Sequence, residues 1–308
     1  MKLLIELPTW LGDTVMTSPA IESLVSHFND VKITLIGSSL AVQVLKNHPK
    51  VVNTYILDKT NISLFRVLKN LTGFDVFISF RGSLRSKYLK LFISAKRKFQ
   101  FDKKKYHRGH QVEKYNNFIN DSFNIKSLPG KLVLNNFKKN INKKNKVLGI
   151  NAGASFGDAK RWHPKEFANV ASALSNNYDI LIFGSNQEWD IANDIEKNLI
   201  EMRVTNYLNL ATNTSISELI IQISNLDLFI TGDTGPMHIA AAFNIPTVAV
   251  FGPTNSNETS PWGNEKSIIV KKDLECQPCM QRTCPLGHHN CMKLIKAPEV
   301  LRAIALIN

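Results

Sequence analysis

The chain has 308 residues, of which 44% are hydrophobic and 20% charged, a composition typical of folded globular proteins rather than disordered ones. This length exceeds the usual size of one core and favours two domains. Apolar runs stay below the ~18 residues that a membrane span needs. The first ten residues lack the long apolar run and the cleavage site of a signal peptide, so we expect a cytoplasmic protein.

Strand-like and helix-like segments alternate through the first part of the chain. In chain order they are a strand at 2–7, a helix at 13–28, a strand at 31–37, a helix at 39–48, a strand at 54–58, a helix at 63–71 and a strand at 74–80. A polar, basic stretch with a Pro–Gly pair, 127–146, then interrupts the alternation and predicts a linker.

The alternation starts again after this stretch. It continues with strands at 147–153, 178–185, 226–232 and 246–252 and helices at 164–177, 188–200, 215–225 and 297–307. Such alternation is typical of βαβ units and a parallel sheet. We therefore predict an α/β fold with two Rossmann-like domains, 1–135 and 146–296, joined by a linker at 136–145 and followed by a helix at 297–308. Because open parallel sheets bind ligands at the carboxyl ends of their strands, we expect a cleft between the domains.

The charge is divided unevenly between these halves. Residues 1–145 hold 25 Lys and Arg against 9 Asp and Glu, a net charge of +16, whereas residues 146–308 hold 13 against 16, a net charge of −3. The basic half is expected to meet an anionic partner: nucleic acid, an acidic membrane surface or a phosphorylated substrate. The alternative is that the excess reflects a lysine-rich proteome.

The junction after the first predicted strand, "PTWLGDTV" (8–15), lacks the G-x-G-x-x-G turn of dinucleotide-binding folds. Gly12 allows a close approach of the backbone. Asp13 stands where a helix begins and has two interpretations. It is either a helix N-cap or a general base facing the cleft.

Three junctions of the second half indicate a phosphate-bearing ligand. In "NAGASFGDAKRWHP" (151–164), small residues leave amide groups open beside Lys160 and Arg161, which suits a diphosphate; a mobile surface loop is the alternative. In "GSNQEWD" (184–190), Ser185 or Asn186 either caps a helix or contacts a ribose or base. In "GDTGPMH" (232–238), a helix N-terminus predicts an anion site, and His238 is either a core histidine or a site residue.

All four cysteines lie within 16 residues: Cys276, Cys279, Cys284 and Cys291. In a cytosolic chain this spacing favours a structural metal site, with zinc preferred over an iron–sulfur cluster. Reduced thiols and disulfides remain alternatives. No open set of histidines and carboxylates indicates a catalytic metal.

Three stretches resemble the family 9 glycosyltransferases: "LPTWLGDTVMTSPAI" (7–21), "NAGASFGDAKRWHP" (151–164) and "TGDTGPMHIAAAFNIPTVAVFGPT" (231–254). The similarity extends over essentially the whole chain. It implies the GT-B architecture of two facing Rossmann-like domains, with the C-terminal helix packing back on the first. It also implies inverting transfer of heptose from ADP-heptose to the phosphorylated inner core of lipopolysaccharide, with no cofactor required for catalysis.

The resemblance assigns roles to particular residues. Asp13 matches the family's proposed base, Ser155 and Lys160 match contacts to the donor phosphates, and the turn at 233–238 matches the contacts to the donor sugar and diphosphate. The full set of predicted donor-binding residues is Thr9, Gly12, Gly153, Ala154, Ser155, Lys160, Arg161, Gly184, Ser185, Glu188, Asp233, Thr234, Gly235, Met237 and His238.

The resemblance leaves the acceptor heptose and the role of residues 103–110 open. An anionic inner-membrane surface is the expected partner of the basic half, with Lys103, Lys104 and Lys105 as contacts. Two other functions are compatible with the fold or the charge. A nucleotide-sugar epimerase on the same fold leaves the basic half unexplained. A nucleic-acid-binding protein is disfavoured, because no recognised module is present and the basic runs lack interleaved aromatic residues.

Overall fold

The computed structural model describes residues 1–135 and 145–307, apart from 29, 58–67 and 69. The chain divides into two compact units, Met1–Asn136 and Phe137–Asn308. The predicted linker, 136–145, lies outside the described residues except for Asn145, and most of the helix predicted at 63–71 lies outside them too. Within the described part of the chain, no helix is long and apolar enough to span a membrane.

The first unit is built on a five-stranded parallel sheet in the order β3-β2-β1-β4-β5. Its strands are β1 (Lys2–Glu6), β2 (Lys32–Gly37), β3 (Val51–Ile56), β4 (Phe74–Ser79) and β5 (Ala95–Gln100). Its described helices are α1 (Leu11–Met16), α2 (Ser18–His27), α3 (Ser39–Leu45), α4 (Leu84–Phe92) and α5 (Gln111–Phe123). In the central register, Ile5 pairs with Leu35 on one side and Ile78 on the other.

Two features of this unit differ from the sequence prediction. The single helix expected at 13–28 is two helices, because Pro19 in the first turn of α2 has no N–H with which to continue α1. The sequence pattern predicts no element between 84 and 123, whereas the structure has α4, β5 and α5 there. The lysines and arginines of this segment interrupt the apolar periodicity on which a sequence-based assignment depends.

The second unit contains a six-stranded parallel sheet in the order β11-β10-β9-β6-β7-β8. Its strands are β6 (Lys146–Asn151), β7 (Tyr178–Phe183), β8 (Tyr207–Asn209), β9 (Leu228–Gly232), β10 (Thr247–Phe251) and β11 (Ser267–Lys271). Its described helices are α6 (Pro164–Leu174), α7 (Trp189–Glu201), α8 (Ile216–Ser224), α9 (Gly235–Ala242), α10 (Ser256–Thr259), α11 (Asn290–Lys293) and α12 (Ala297–Ile307). Every residue of β9 and β10 is buried, as expected for a parallel sheet covered on both faces.

The C-terminal helix α12 packs on the core of the second unit. Val300, Ala303 and Ile304 are buried in the same cluster as Ile150 and Ile182 of the sheet. The expectation that this helix also packs on the first half stays a prediction.

Each sheet has a point at which the strand order reverses. In the first unit the chain goes from β1 outward to β2 and β3, and later returns to place β4 on the other side of β1; in the second unit β6 is likewise flanked by β7 and β9. The loops that leave the carboxyl ends of two such neighbouring strands run in opposite directions and form a crevice, where open α/β sheets bind ligands.

Candidate active site

The reversal point of the second sheet brings together two of the predicted loops. One follows β6 and contains Lys160, within a short 3₁₀ helix at Asp158–Lys160. The other follows β9 and contains Asp233. Lys160 Nζ lies 2.6 Å from Asp233 Oδ2 and donates a second hydrogen bond of 3.1 Å to the Asp233 carbonyl oxygen. The sequence placed both residues at the site but did not predict that they pair.

Burial makes this ion pair important for stability. The side chains of Lys160 and Asp233 are only 12% and 6% exposed, so the carboxylate compensates the ammonium away from bulk water. The ring of Phe156 lies 4.9 Å from Lys160 Nζ, a cation–π distance. Since an ammonium has three N–H donors and two go to Asp233, one remains for a ligand.

A close approach of Glu188 in the neighbouring loop explains why position 153 holds a glycine. A Cβ atom built at Gly153 would collide with the carboxylate of Glu188. That carboxylate is buried, with 7% of Glu188 exposed, and it accepts a 2.8 Å hydrogen bond from the backbone N–H of Ser185. The small residue at 153 and the acid at 188 therefore hold the loops after β6 and β7 against each other.

We expect Gly153→Ala to displace the Glu188 carboxylate, break its bond to Ser185 and cost about 1–3 kcal/mol of unfolding free energy, as overpacking commonly does. Urea denaturation measures the change. Gly130→Ala is the matched control, because a Cβ there meets nothing within 4 Å. Adding Glu188→Ala to Gly153→Ala should recover part of the loss, and a double variant as unstable as the single one would contradict this explanation.

The turn after β9 leads into the N-terminus of α9. Thr234 is the N-cap residue and Pro236 lies in the first turn, a position that suits proline. The hydroxyls of Thr231 and Thr234 share a 3.0 Å hydrogen bond, and Asn151 Nδ2 donates to Thr234 Oγ1 at 3.4 Å. This network fixes the turn whose amide groups, at Thr234 and Gly235, are predicted to bind an anion.

Two residues of this helix turn inward. Met237 is fully buried against Ala249 and Phe251, so the structure places its side chain in the core. That it contacts the donor stays a prediction. His238 is 3% exposed, which makes it a buried histidine directly below the turn.

The remaining predicted donor residues differ in accessibility. Ala154 is buried, whereas Ser155 is exposed and presents its hydroxyl to solvent. Arg161 donates to the Gln187 carbonyl at 3.4 Å, which links the loops after β6 and β7. Gly184 directly follows β7. A Cβ atom built at this position would lie 3.3 Å from the Ala211 Cβ.

In the first unit, Asp13 lies just beyond the carboxyl end of β1. It is the third residue of α1, whose N-cap is Trp10 and has no side-chain capping bond. The interpretation of Asp13 as an N-cap is therefore wrong. Thr9 is exposed in the preceding turn, and Gly12 is buried in α1.

Sequence reasoning missed the contact between Asp13 and Tyr115 of α5. Tyr115 Oη donates to Asp13 Oδ1 at 3.3 Å. Burial, reinforced by the neighbouring Asp13 carboxylate, holds the pKa of Tyr115 well above its usual range. The phenol is thus a neutral donor that orients the carboxylate, and the 102 residues between the two leave no local signal of the contact.

The four cysteines are free thiols that line one small cavity. Burial, together with the other three thiols, raises the pKa of Cys291 to about 11, whereas backbone N–H donors, led by His289, lower the pKa of Cys284. Among the described residues, no group of three or more His, Cys, Asp and Glu side chains is arranged to hold a metal ion. The predicted zinc site is therefore not confirmed.

The segment around these cysteines supports the loop that contains Lys160. The Ala159 N–H donates to the Arg282 carbonyl at 3.0 Å, and the Ala159 carbonyl accepts from His289 Nε2 at 2.8 Å. Both backbone groups of the residue before Lys160 are thus held by the cysteine-rich segment, a role that its spacing alone did not indicate.

The sequence is similar to a known protein family and to several of its members. The model of Glycosyltransferase family 9 (heptosyltransferase) matches residues 62–290. Lipooligosaccharide heptosyltransferase 2 of Campylobacter jejuni is 43% identical over 312 residues, which cover 98% of this chain and 96% of that protein. Lipopolysaccharide heptosyltransferase 2 of Escherichia coli is 34% identical over 124 residues, 40% of this chain and 36% of that protein.

Solved structures match over the full length. The structure of E. coli ADP-heptose lps heptosyltransferase II has a TM-score of 0.82 and 22% identity, and covers 100% of this chain and 98% of its own. E. coli heptosyltransferase WaaC with ADP has a TM-score of 0.78 and 14% identity, and covers 100% of both chains. The fold is therefore that of the GT-B glycosyltransferases, which confirms the predicted fold class. The chain belongs to glycosyltransferase family 9, the heptosyltransferases, and is a glycosyltransferase.

Proposed function

We propose that the protein transfers heptose from ADP-heptose to the heptose-bearing inner core of lipooligosaccharide or lipopolysaccharide. The observation that carries the proposal is 43% identity, over nearly the full length of both chains, to a lipooligosaccharide heptosyltransferase 2. The buried Lys160 beside the N-terminus of α9 supports it, because this arrangement suits a diphosphate. Residues 146–296 then form the donor domain and residues 1–135 the acceptor domain.

The donor side of the proposed reaction stabilises the leaving group. As the bond between the anomeric carbon and the diphosphate breaks, negative charge develops on ADP. The third N–H of Lys160 and the amides at Thr234 and Gly235 stabilise that charge. Asp233 keeps Lys160 in place through their 2.6 Å contact.

The acceptor side of the proposed reaction supplies the nucleophile. The Asp13 carboxylate accepts the proton of the acceptor hydroxyl as its oxygen bonds to the anomeric carbon. Tyr115 orients the carboxylate through the 3.3 Å hydrogen bond. Attack opposite the leaving diphosphate inverts the anomeric configuration, through an oxocarbenium-like transition state.

The test is to incubate the protein with ADP-heptose in the presence and absence of heptose-bearing core acceptor. ADP should be released, and the acceptor should gain the mass of one heptose, only when both substrates are present. ADP release at the same rate without acceptor, or a change in the sugar alone, would instead favour hydrolysis or an epimerase. Since the acceptor is anchored in lipid, we further propose that the protein works on the cytoplasmic face of the inner membrane.

We also propose that Cys276, Cys279, Cys284 and Cys291 bind a structural zinc ion. The support is that the four thiols line one cavity and that backbone N–H groups favour the thiolate at Cys284, the form that binds metal. Zinc would draw the thiols into a tetrahedral set. Elemental analysis of protein purified without added metal should find about one zinc per chain. Four titratable thiols with no stoichiometric metal would contradict the proposal.

A further inference from the structure

Helix α4 of the first unit is anchored by its inner side. Ser86 and Leu89 are buried, and Ile93, directly after the helix, belongs to the same apolar cluster as Leu89. Ser86 Oγ donates a 2.8 Å hydrogen bond to Oε1 of the buried Glu6 on β1. At the other end, Lys98 Nζ donates to the Leu91 carbonyl at 3.2 Å. The helix is thus fixed at both ends, and its outer side has a defined orientation.

The outer side of α4 is apolar and open to solvent. Leu84 is 72% exposed, Tyr88 61%, Leu91 70% and Phe92 63%. At 3.6 residues per turn these four positions fall within an arc of about 100°, on the side opposite Ser86 and Leu89. Single exposed apolar side chains are ordinary, but four on one face of a nine-residue helix form a patch that indicates an interaction surface. We call these four residues the α4 face.

Basic residues flank the α4 face on both sides. By helical position, Arg85 lies along one edge and Lys87 along the other, with Lys90 further round the helix toward Ser86. Lys87 is exposed. Residues 81–98 contain seven Lys and Arg and no Asp or Glu. An apolar strip with cationic edges is complementary to an anionic lipid bilayer, whose acyl boundary accepts the apolar side chains while its phosphates accept the cations.

We propose that the α4 face is the surface by which the protein docks on anionic phospholipid membranes. Leu84, Tyr88, Leu91 and Phe92 enter the boundary between head groups and acyl chains, and the flanking cations bind lipid phosphates. This inference rests on the proposed function, in which the acceptor is held in a membrane. It places the docking surface on α4 rather than on the predicted lysines at 103–105. Lys105 is paired with Asp121 at 2.6 Å, and a run of three lysines supplies charge without apolar side chains.

The test is flotation of the full-length protein with vesicles of phosphatidylglycerol and phosphatidylethanolamine or of phosphatidylcholine alone. The wild type should float with the anionic vesicles only. Leu91→Ser with Phe92→Ser should weaken this binding by about 10-fold or more, since both side chains lose their apolar burial. Lys87→Gln with Lys90→Gln should weaken it up to about 30-fold, at ~1 kcal/mol per charge, and should flatten the salt dependence.

The matched control is Leu208→Ser with Leu306→Ser, which removes two leucines of the second unit that are 55% and 78% exposed. This variant should bind vesicles as the wild type does. A Tyr88→Trp variant should show a blue-shifted indole fluorescence on anionic vesicles, and brominated acyl chains should quench it. Equal binding of the Leu91/Phe92 variant and the wild type, equal binding to neutral vesicles, or an unshifted indole would overturn the proposal. So would a dimer that this variant abolishes, because the α4 face would then bind a second copy.

A soluble acceptor separates this inference from the proposed function. The Leu91/Phe92 variant should transfer heptose to a deacylated, water-soluble core oligosaccharide at the wild-type rate. If the wild type itself transfers no heptose to that acceptor, the proposed function fails, whereas the vesicle measurements still decide the docking surface.

Discussion

Replacing Asp13 with Asn or Ala is expected to lower the rate of heptose transfer by about 10²–10⁴, the usual contribution of a positioned general base. The unfolding free energy should change little. Asp13 is not the N-cap of α1, whose N-cap is Trp10, so the substitution leaves the N-cap residue in place. Steady-state kinetics should show the loss in kcat, with the KM for ADP-heptose close to the wild-type value.

Tyr115→Phe is the comparison variant for Asp13→Asn. It removes the phenol hydroxyl, and with it the 3.3 Å hydrogen bond to Asp13, and should reduce kcat less than Asp13→Asn does. Transfer by Asp13→Asn at a near-native rate, or simple unfolding of this variant, would show that the carboxylate is structural.

Lys160→Ala is expected to impair both stability and donor binding. Loss of the ammonium leaves the Asp233 carboxylate, 6% exposed, without its compensating charge, which commonly costs about 3–5 kcal/mol of unfolding free energy. Loss of the contact to the diphosphate should cost a further ~1.5–3 kcal/mol in transition-state binding. Urea denaturation and the kcat/KM for ADP-heptose measure the two effects separately.

A double variant distinguishes these two contributions. Lys160→Ala with Asp233→Ala removes both members of the buried pair, so much of the lost stability should return, because no uncompensated charge remains. Donor binding should not recover. If activity returned together with stability, Lys160 would be a structural partner of Asp233 and would play no part in binding the donor.

The sequence was sufficient to predict the two parallel-sheet halves and the loops that carry the candidate donor site. Buried strands such as Leu228–Gly232 are apolar runs between turn residues, a strong local signal. The α4–β5–α5 region was missed, because α4 turns apolar residues toward solvent and β5 contains three consecutive basic residues. Hydrophobic patterns predict elements only where the apolar side faces a core.

By itself, the sequence determined which residues belong to the loops after the strands, because glycines, prolines and caps act locally along the chain. Only the tertiary structure decided which of these residues meet. Lys160 and Asp233 are 73 positions apart, and Asp13 and Tyr115 are 102. The first pairing depends on strand order, which brings β6 beside β9, and the second depends on the packing of α5 beside α1. Likewise, the inward position of Met237 and the outward position of the α4 face follow from which side of each helix packs on its sheet.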